Sequence, residues 1–211
     1  ITAGPTREPI DPMRYISNRS SGRMGYALAE ACVEAGAKVT LVSGPVCLPS
    51  PERVTLINIE TAAEMLAAVE NELAGCNIFI SAAAVADYRP AQMAEQKLKK
   101  SDEAVSLELA RTEDVLAMVA ARDAAPFTVG FAAETENIAG NAQGKLQAKA
   151  LDMIAANKIG RTESGEPLGV ESEDNALNVF WHGGGQDLPK AHKSQLARQL
   201  VALIGQRYHE K

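Results

Sequence analysis

Aromatic residues make up only 4% of this 211-residue chain, with one Trp, four Tyr and four Phe. A core built on stacked rings is therefore excluded, and aliphatic side chains must fill it. Cysteine is as scarce: Cys32, Cys47 and Cys76 are an odd number, widely spaced and without a C-x-x-C pair. That pattern argues against a disulfide framework and against a thiolate metal site, so a reducing cytoplasm is the expectation. No run of about 18 apolar residues is long enough to span a bilayer, and no charged-then-apolar leader opens the chain. A basic excess is missing too: 21 Lys and Arg face 27 Asp and Glu, a net charge of −6. Generic binding to nucleic acid or to a membrane surface is thereby disfavoured, and basic residues have to be read locally.

Several cofactor signatures are also absent. There is no G-x-x-x-x-G-K-[ST] phosphate loop and no G-x-G-x-x-G dinucleotide fingerprint. The apolar segment ending at Ser43 carries no acidic residue to hold a ribose. No tyrosine has a lysine four residues on, so the Tyr/Lys pair of short-chain dehydrogenases is lacking. His182, His192 and His209 fall late in the chain without ligand-like clustering, which makes a zinc site improbable.

What is present is concentrated first in residues 4–25. Residues 1–4 read as the end of a buried strand, and Met24 onward, with Tyr26, Leu28, Ala29 and Val33, reads as a helix. Between them Pro5, Pro9 and Pro12 stiffen the backbone. Ser20 or Ser21 is expected to cap the helix, while Gly22 and Gly25 let a ligand approach its exposed amides. Arg7, Arg14, Arg19 and Arg23 add charge, so the loop is read as a phosphate or carboxylate site at a strand-loop-helix junction.

Further along, residues 38–43, 54–59 and 77–84 have buried-strand composition, and Met65, Leu66, Val69 and Leu73 share one helical face. Strands are also expected at 105–109, 127–134, 151–155 and 177–181, with helices from Asp114 and around Leu196 to Ile204. This alternation predicts an α/β fold, a Rossmann-like, doubly wound and mainly parallel sheet, with a smaller additional β element. One domain covering 1–211 is the simplest division, and residues 160–173 are the expected mobile loop. Because Ile1 lies inside a strand, a piece of a longer polypeptide is expected.

Three motifs carry chemistry, each against a plainer alternative. Asn18 either partners a developing oxyanion and an attacking amine, or caps a turn. The run Ala82-Ala83-Ala84-Val85-Ala86-Asp87 either admits a planar ring beside a carboxylate, or is tight helix-sheet packing. Lys97, Lys99, Lys100, Lys145 and Lys149 either neutralise a polyphosphate or form a solvated face.

With these segments placed, the chain resembles the phosphopantothenoylcysteine synthetase family, in its CTP-dependent bacterial form. Five blocks in order carry the resemblance: residues 3–11, residues 14–22, Ala83-Ala84-Val85-Ala86-Asp87-Tyr88, Lys97-Leu98-Lys99-Lys100 and Gly130-Phe131-Ala132-Ala133-Glu134-Thr135. It implies ligation of 4'-phosphopantothenate to L-cysteine with CTP and Mg2+, through an acyl-cytidylate. By position Asn18 and Lys97 are implied as catalytic, and Arg14, Asn18 and Ala84 as substrate-binding. Asp87, Lys97, Lys100, Phe131, Lys145 and Lys149 are implied at the nucleotide, as is the segment Glu113, Asp114, Val115 and Leu116. There this chain reads T-E-D-V-L where many members read T-P-D-I-L, so the contact is assigned to backbone. No metal ligand is assigned. The resemblance further implies a homodimer using the added β element, and an N-terminal flavin-dependent decarboxylase domain in the full-length protein.

Overall fold

The computed structural model describes residues 1–100, 105–161, 167–168 and 172–211. The first half runs β1 (Thr2–Ala3), β2 (Arg7–Pro9), β3 (Tyr15–Ser17), α1 (Arg23–Glu34), β4 (Val39–Ser43), β5 (Val54–Asn58), α2 (Ala62–Glu72) and β6 (Ile78–Ser81). The second half begins with β7 (Tyr88–Pro90), β8 (Leu109–Arg111), α3 (Val115–Ala120), β9 (Phe127–Glu134) and α4 (Ile138–Ala148). It continues with β10 (Met153–Lys158), β11 (Gly160–Arg161), β12 (Pro167–Leu168), β13 (Asp174–Trp181), β14 (Gly184–His192) and α5 (Lys193–Glu210).

Eight strands form the central sheet in the order β14-β13-β10-β9-β6-β1-β4-β5. The pairs from β10 through to β5 are parallel, and β13 and β14 extend the sheet antiparallel. Period-two alternation sends side chains to opposite faces. Met153 and Ala155 of β10 pack with α1 and α5, whereas Ile154 and Ala156 pack with α2, α3 and α4. Helices therefore cover both faces, which is the doubly wound arrangement expected. Successive strands leave β1 in opposite directions, β4 to one side and β6 to the other, so the topological switch lies at β1 and β6. Three further pairs, β2 with β3, β7 with β8 and β11 with β12, stand apart as small antiparallel sheets.

Local chemistry sets the helix starts. Thr61 and Glu64 close a reciprocal capping box on α2, and the Asp114 carboxylate accepts from the Ala117 amide at 3.0 Å to begin α3. The expectation for α1 needs correction. Its N-cap is Gly22, at φ 75°, with no side-chain cap, and Ser20 Oγ instead accepts from the Gly22 amide at 3.3 Å. Two other expectations shift. Residues 105–108 lie outside any strand, and β8 starts only at Leu109, because Val105 and Leu107 are exposed rather than set against a core. The expected mobile loop at 160–173 falls in large part outside the described residues. Among the described residues no helix is long and apolar enough to cross a membrane.

Candidate active site

The loops that follow β1 and β6 meet at the switch point and are stitched together by backbone. The Ala84 amide donates to Gly4 O at 2.9 Å, and the Thr6 amide donates to Ala84 O at 3.2 Å. Buried Thr6 adds its hydroxyl, whose Oγ1 accepts from the Ala86 amide at 2.9 Å, while Ser17 Oγ donates to Thr6 O at 2.7 Å. Onto this junction Asn18 lays its amide, with Nδ2 donating to Ala84 O at 3.0 Å and to Val85 O at 3.1 Å. Both donor hydrogens are thus committed to carbonyls, and Oδ1 is the group this orientation offers to a ligand N–H. Asn18 is no turn cap; it ties one loop to the other.

Beside the junction opens a cavity of about 1130 Å³. Its lining includes Asn18, Ala84, Asp87, the run Glu113 to Leu116, Phe131, Lys145 and Lys149. The 112–116 segment is fixed to the β6 loop, since the Thr112 amide donates to Asp87 O at 3.1 Å and its hydroxyl to Ala86 O. Phe131, Val115 and Leu116 give the lining apolar surface and Asp87 gives it a carboxylate, a mixed composition that suits a planar heterocycle. The two lysines already have partners: Lys145 Nζ lies 2.7 Å from Glu134 Oε1, and Lys149 Nζ 2.6 Å from Asp114 Oδ2. The Lys145 ammonium, helped by the Asn141 amide, holds the Glu134 carboxyl below its ordinary range. At Asp114 burial pushes upward, but the Lys149 ammonium and the Ala117 amide outweigh it and the carboxyl is again lowered.

Arg14, Lys97 and Lys100 do not line this cavity. The guanidinium of Arg14 is taken up by the Asp11 carboxylate and by Leu98 O, while Lys97 and Lys100 are exposed. Of the four loop arginines, only Arg19 reaches the cavity wall. Arg7 instead stacks 4.6 Å from the Tyr15 ring centroid, and Arg23 lies 3.9 Å from Glu173. Gly25 also departs from expectation. A Cβ there would stand 2.4 Å from Ala3 Cβ, so its missing side chain serves contact between α1 and β1, not access for a ligand. Arg111 and Ile159 line the cavity without having been singled out in the sequence, and Tyr88, quoted only as the end of a resemblance block, lines it too. Arg111 sits one residue before the recognisable 112–116 block, which is the one signal that pointed towards it.

Among the described residues no three or more His, Cys, Asp or Glu gather as a metal site. Asp87 and Glu113 on the cavity lining could supply the one or two carboxylates that magnesium usually takes, its other positions being left to phosphates and water, whereas Asp114 is committed to the α3 cap and to Lys149.

Residues 1–208 match the family model described as DNA/pantothenate metabolism flavoprotein C-terminal domain. The coenzyme A biosynthesis bifunctional protein CoaBC of Vibrio vulnificus (strain YJ016) is 50% identical over 207 residues, which cover 97% of this chain and 51% of that protein. The chain therefore spans about half the length of the curated relatives it matches. Among solved structures, the C-terminal domain of a CoaBC bifunctional protein superposes with a TM-score of 0.82 at 37% identity, covering 100% of this chain and 94% of the other. A Cab2 mutant in complex with phosphopantothenate-cysteine gives a TM-score of 0.79 at 14% identity, covering 99% and 85%, a likeness of fold alone.

Proposed function

Because the chain belongs to the DNA/pantothenate metabolism flavoprotein C-terminal domain family, we propose that it is a CTP-dependent phosphopantothenate–cysteine ligase. The carboxylate of 4'-phosphopantothenate attacks the α-phosphorus of CTP, a P–O bond breaks, and pyrophosphate leaves an acyl-cytidylate behind. The amine of L-cysteine then attacks the acyl carbon, CMP departs with the C–O electron pair, and the amine loses a proton as the amide forms.

The observation that carries this reading is the position of Asn18. It is fastened to the Ala84 and Val85 carbonyls at the edge of a cavity that Lys145 and Lys149 also line. Its Oδ1 can accept an N–H of the attacking amine and so orient the lone pair towards the acyl carbon. Phe131 and the 113–116 segment supply a site for the base, and Asp87 a carboxylate beside it. Lys145 and Lys149 meet the polyphosphate; Lys97 and Lys100 stand outside the cavity lining, and their exposed side chains must reach in to its outer phosphates, where a positive charge favours pyrophosphate departure. Asp87 or Glu113 would hold magnesium, which would supply further charge neutralisation at the phosphates. The small β7 and β8 sheet exposes Tyr88 and Leu109, and this face serves a homodimer. In the full-length protein an N-terminal flavin-dependent decarboxylase domain acts on the product, and the pathway is cytoplasmic.

Pyrophosphate release with magnesium and 4'-phosphopantothenate, comparing CTP with ATP and each with and without cysteine, tests this reading. Release with CTP and conversion of an acyl-cytidylate to the amide by cysteine, seen by mass spectrometry, is the expected result. Lys97→Gln should abolish pyrophosphate release, whereas Asn18→Asp should release it and accumulate the acyl-cytidylate. Absence of release with either nucleotide refutes the ligase assignment.

A further inference from the structure

Asp11 is the buried charge that the proposed chemistry does not use. Its residue is 2% exposed, a position that disfavours a carboxylate unless its oxygens are fully bonded. Oδ1 accepts the amides of Met13 at 2.8 Å and Arg14 at 2.9 Å, which makes an ordinary side-chain turn. Oδ2 does something else: it accepts Nε of Arg14 at 2.9 Å, Nη2 of the same guanidinium, and the amide of Leu98 at 3.1 Å, 87 residues along the chain. That Nη2 also donates to Leu98 O at 2.7 Å. Both backbone polar groups of Leu98 are therefore held by one ion pair. A second tie lies four residues earlier, where the Ala94 amide donates to Ile10 O at 2.9 Å.

Residues 91–100 have no helix or strand of their own, so these ties to the tip of the β2 and β3 hairpin define where the segment runs. Lys97 precedes the doubly held Leu98. The same hairpin leads, through β3, directly into Asn18. One rigid piece of backbone thus carries Asn18 and grips the lysine segment.

We infer that Asp11 is a positioning residue: with Arg14 it clamps Leu98 and so fixes Lys97 relative to Asn18. The inference rests on the proposed role of Lys97 at the triphosphate. The low titration of Asp11, caused chiefly by the Arg14 guanidinium and only partly opposed by burial, keeps the clamp charged at neutral pH.

The test separates the clamp from the ligase reading. In Asp11→Asn the turn bonds at Oδ1 persist, but the ion pair is lost and the second oxygen no longer accepts from Leu98. Hydrogen exchange of the Leu98 amide, read on the ligand-free protein, should quicken by roughly ten- to a hundred-fold, the range for loss of a charge-assisted hydrogen bond. Pyrophosphate release at saturating substrates should fall by a similar factor. Cysteine-dependent consumption of chemically supplied acyl-cytidylate should stay within about twofold of wild type, because Asn18 keeps its partners. Asp11→Ser, whose hydroxyl can still accept one turn amide, should reproduce this pattern and stands in if Asp11→Asn does not fold. Unchanged exchange at Leu98 overturns the clamp. Quickened exchange with full pyrophosphate release, or a loss confined to the cysteine step, overturns its action through Lys97. A wild-type protein silent in the pyrophosphate assay refutes the ligase reading, and the exchange at Leu98 then judges the clamp alone.

Discussion

Gly25 shows how a single missing side chain sets a distance between elements. An added Cβ would stand 2.4 Å from Ala3 Cβ and 3.3 Å from Thr2 O, against about 3.5–4.0 Å for a comfortable carbon contact. Alanine gains about 1 kcal/mol of helix propensity over glycine, but overpacking of a tight core costs about 1–3 kcal/mol, and here the crowded neighbours, Thr2 and Ala3, belong to the central strand β1. Gly25→Ala should therefore lower the urea midpoint with an unchanged slope. Asp11 adds a pH signature of its own. Its folded pKa is depressed, so its stabilisation is present above about pH 4, the unfolded value. It is lost as pH falls through the folded value, so the stability deficit of Asp11→Asn should shrink as unfolding is followed from pH 5 down towards pH 2. At this scale the sequence was informative about Asn18, Ala84 and the 112–116 run. It was not informative about which arginines face the cavity, because Arg7 and Arg14 are claimed by Tyr15 and Asp11, partners that only the hairpin brings close.

Helix α2 owes its start to a local device that sequence spacing reveals directly. Thr61 Oγ1 accepts from the Glu64 amide at 3.2 Å, and Glu64 Oε2 accepts from the amides of Thr61 and Glu60. Thr61→Ala should lower stability by about 1 kcal/mol, measured by thermal unfolding, without altering pyrophosphate release. The amphipathic helices and buried parallel strands were legible because their apolar residues repeat with the right period. Several elements were not read, α4 and β7 among them, and two others show why. Strand β14 contains Gly184, Gly185 and Pro189, residues that weaken a strand signal and are tolerated because it forms the sheet's edge. The β2 and β3 hairpin holds prolines and polar residues that read as a ligand loop, and its order comes from bonds to residues more than 60 positions away.

For the molecule as a whole, strand order decides where chemistry sits. The switch at β1 and β6 collects loops distant in sequence, and that much follows from alternating strands and helices alone. Self-association does not follow from the pattern. Leu109 is 46% and Tyr88 45% exposed on the β7 and β8 sheet, an apolar surface that the proposed dimer covers. Leu109→Glu should convert a dimeric sedimentation profile into a monomeric one while preserving the thermal transition's cooperativity; a monomeric wild type would refute the dimer.

The paired lysines have a consequence for how the cavity responds to ionic strength. Lys145 and Lys149 already sit against the Glu134 and Asp114 carboxylates, which serve as built-in counter-ions. A polyphosphate that takes over these lysines displaces carboxylates instead of dissolved anions, and the freed carboxylates draw cations back from solution. Fewer salt ions are released than by two bare lysines, so affinity declines less steeply as salt is added. In the proposed ligase the acidic partners would thus trade some strength of binding for constancy across changing ionic conditions.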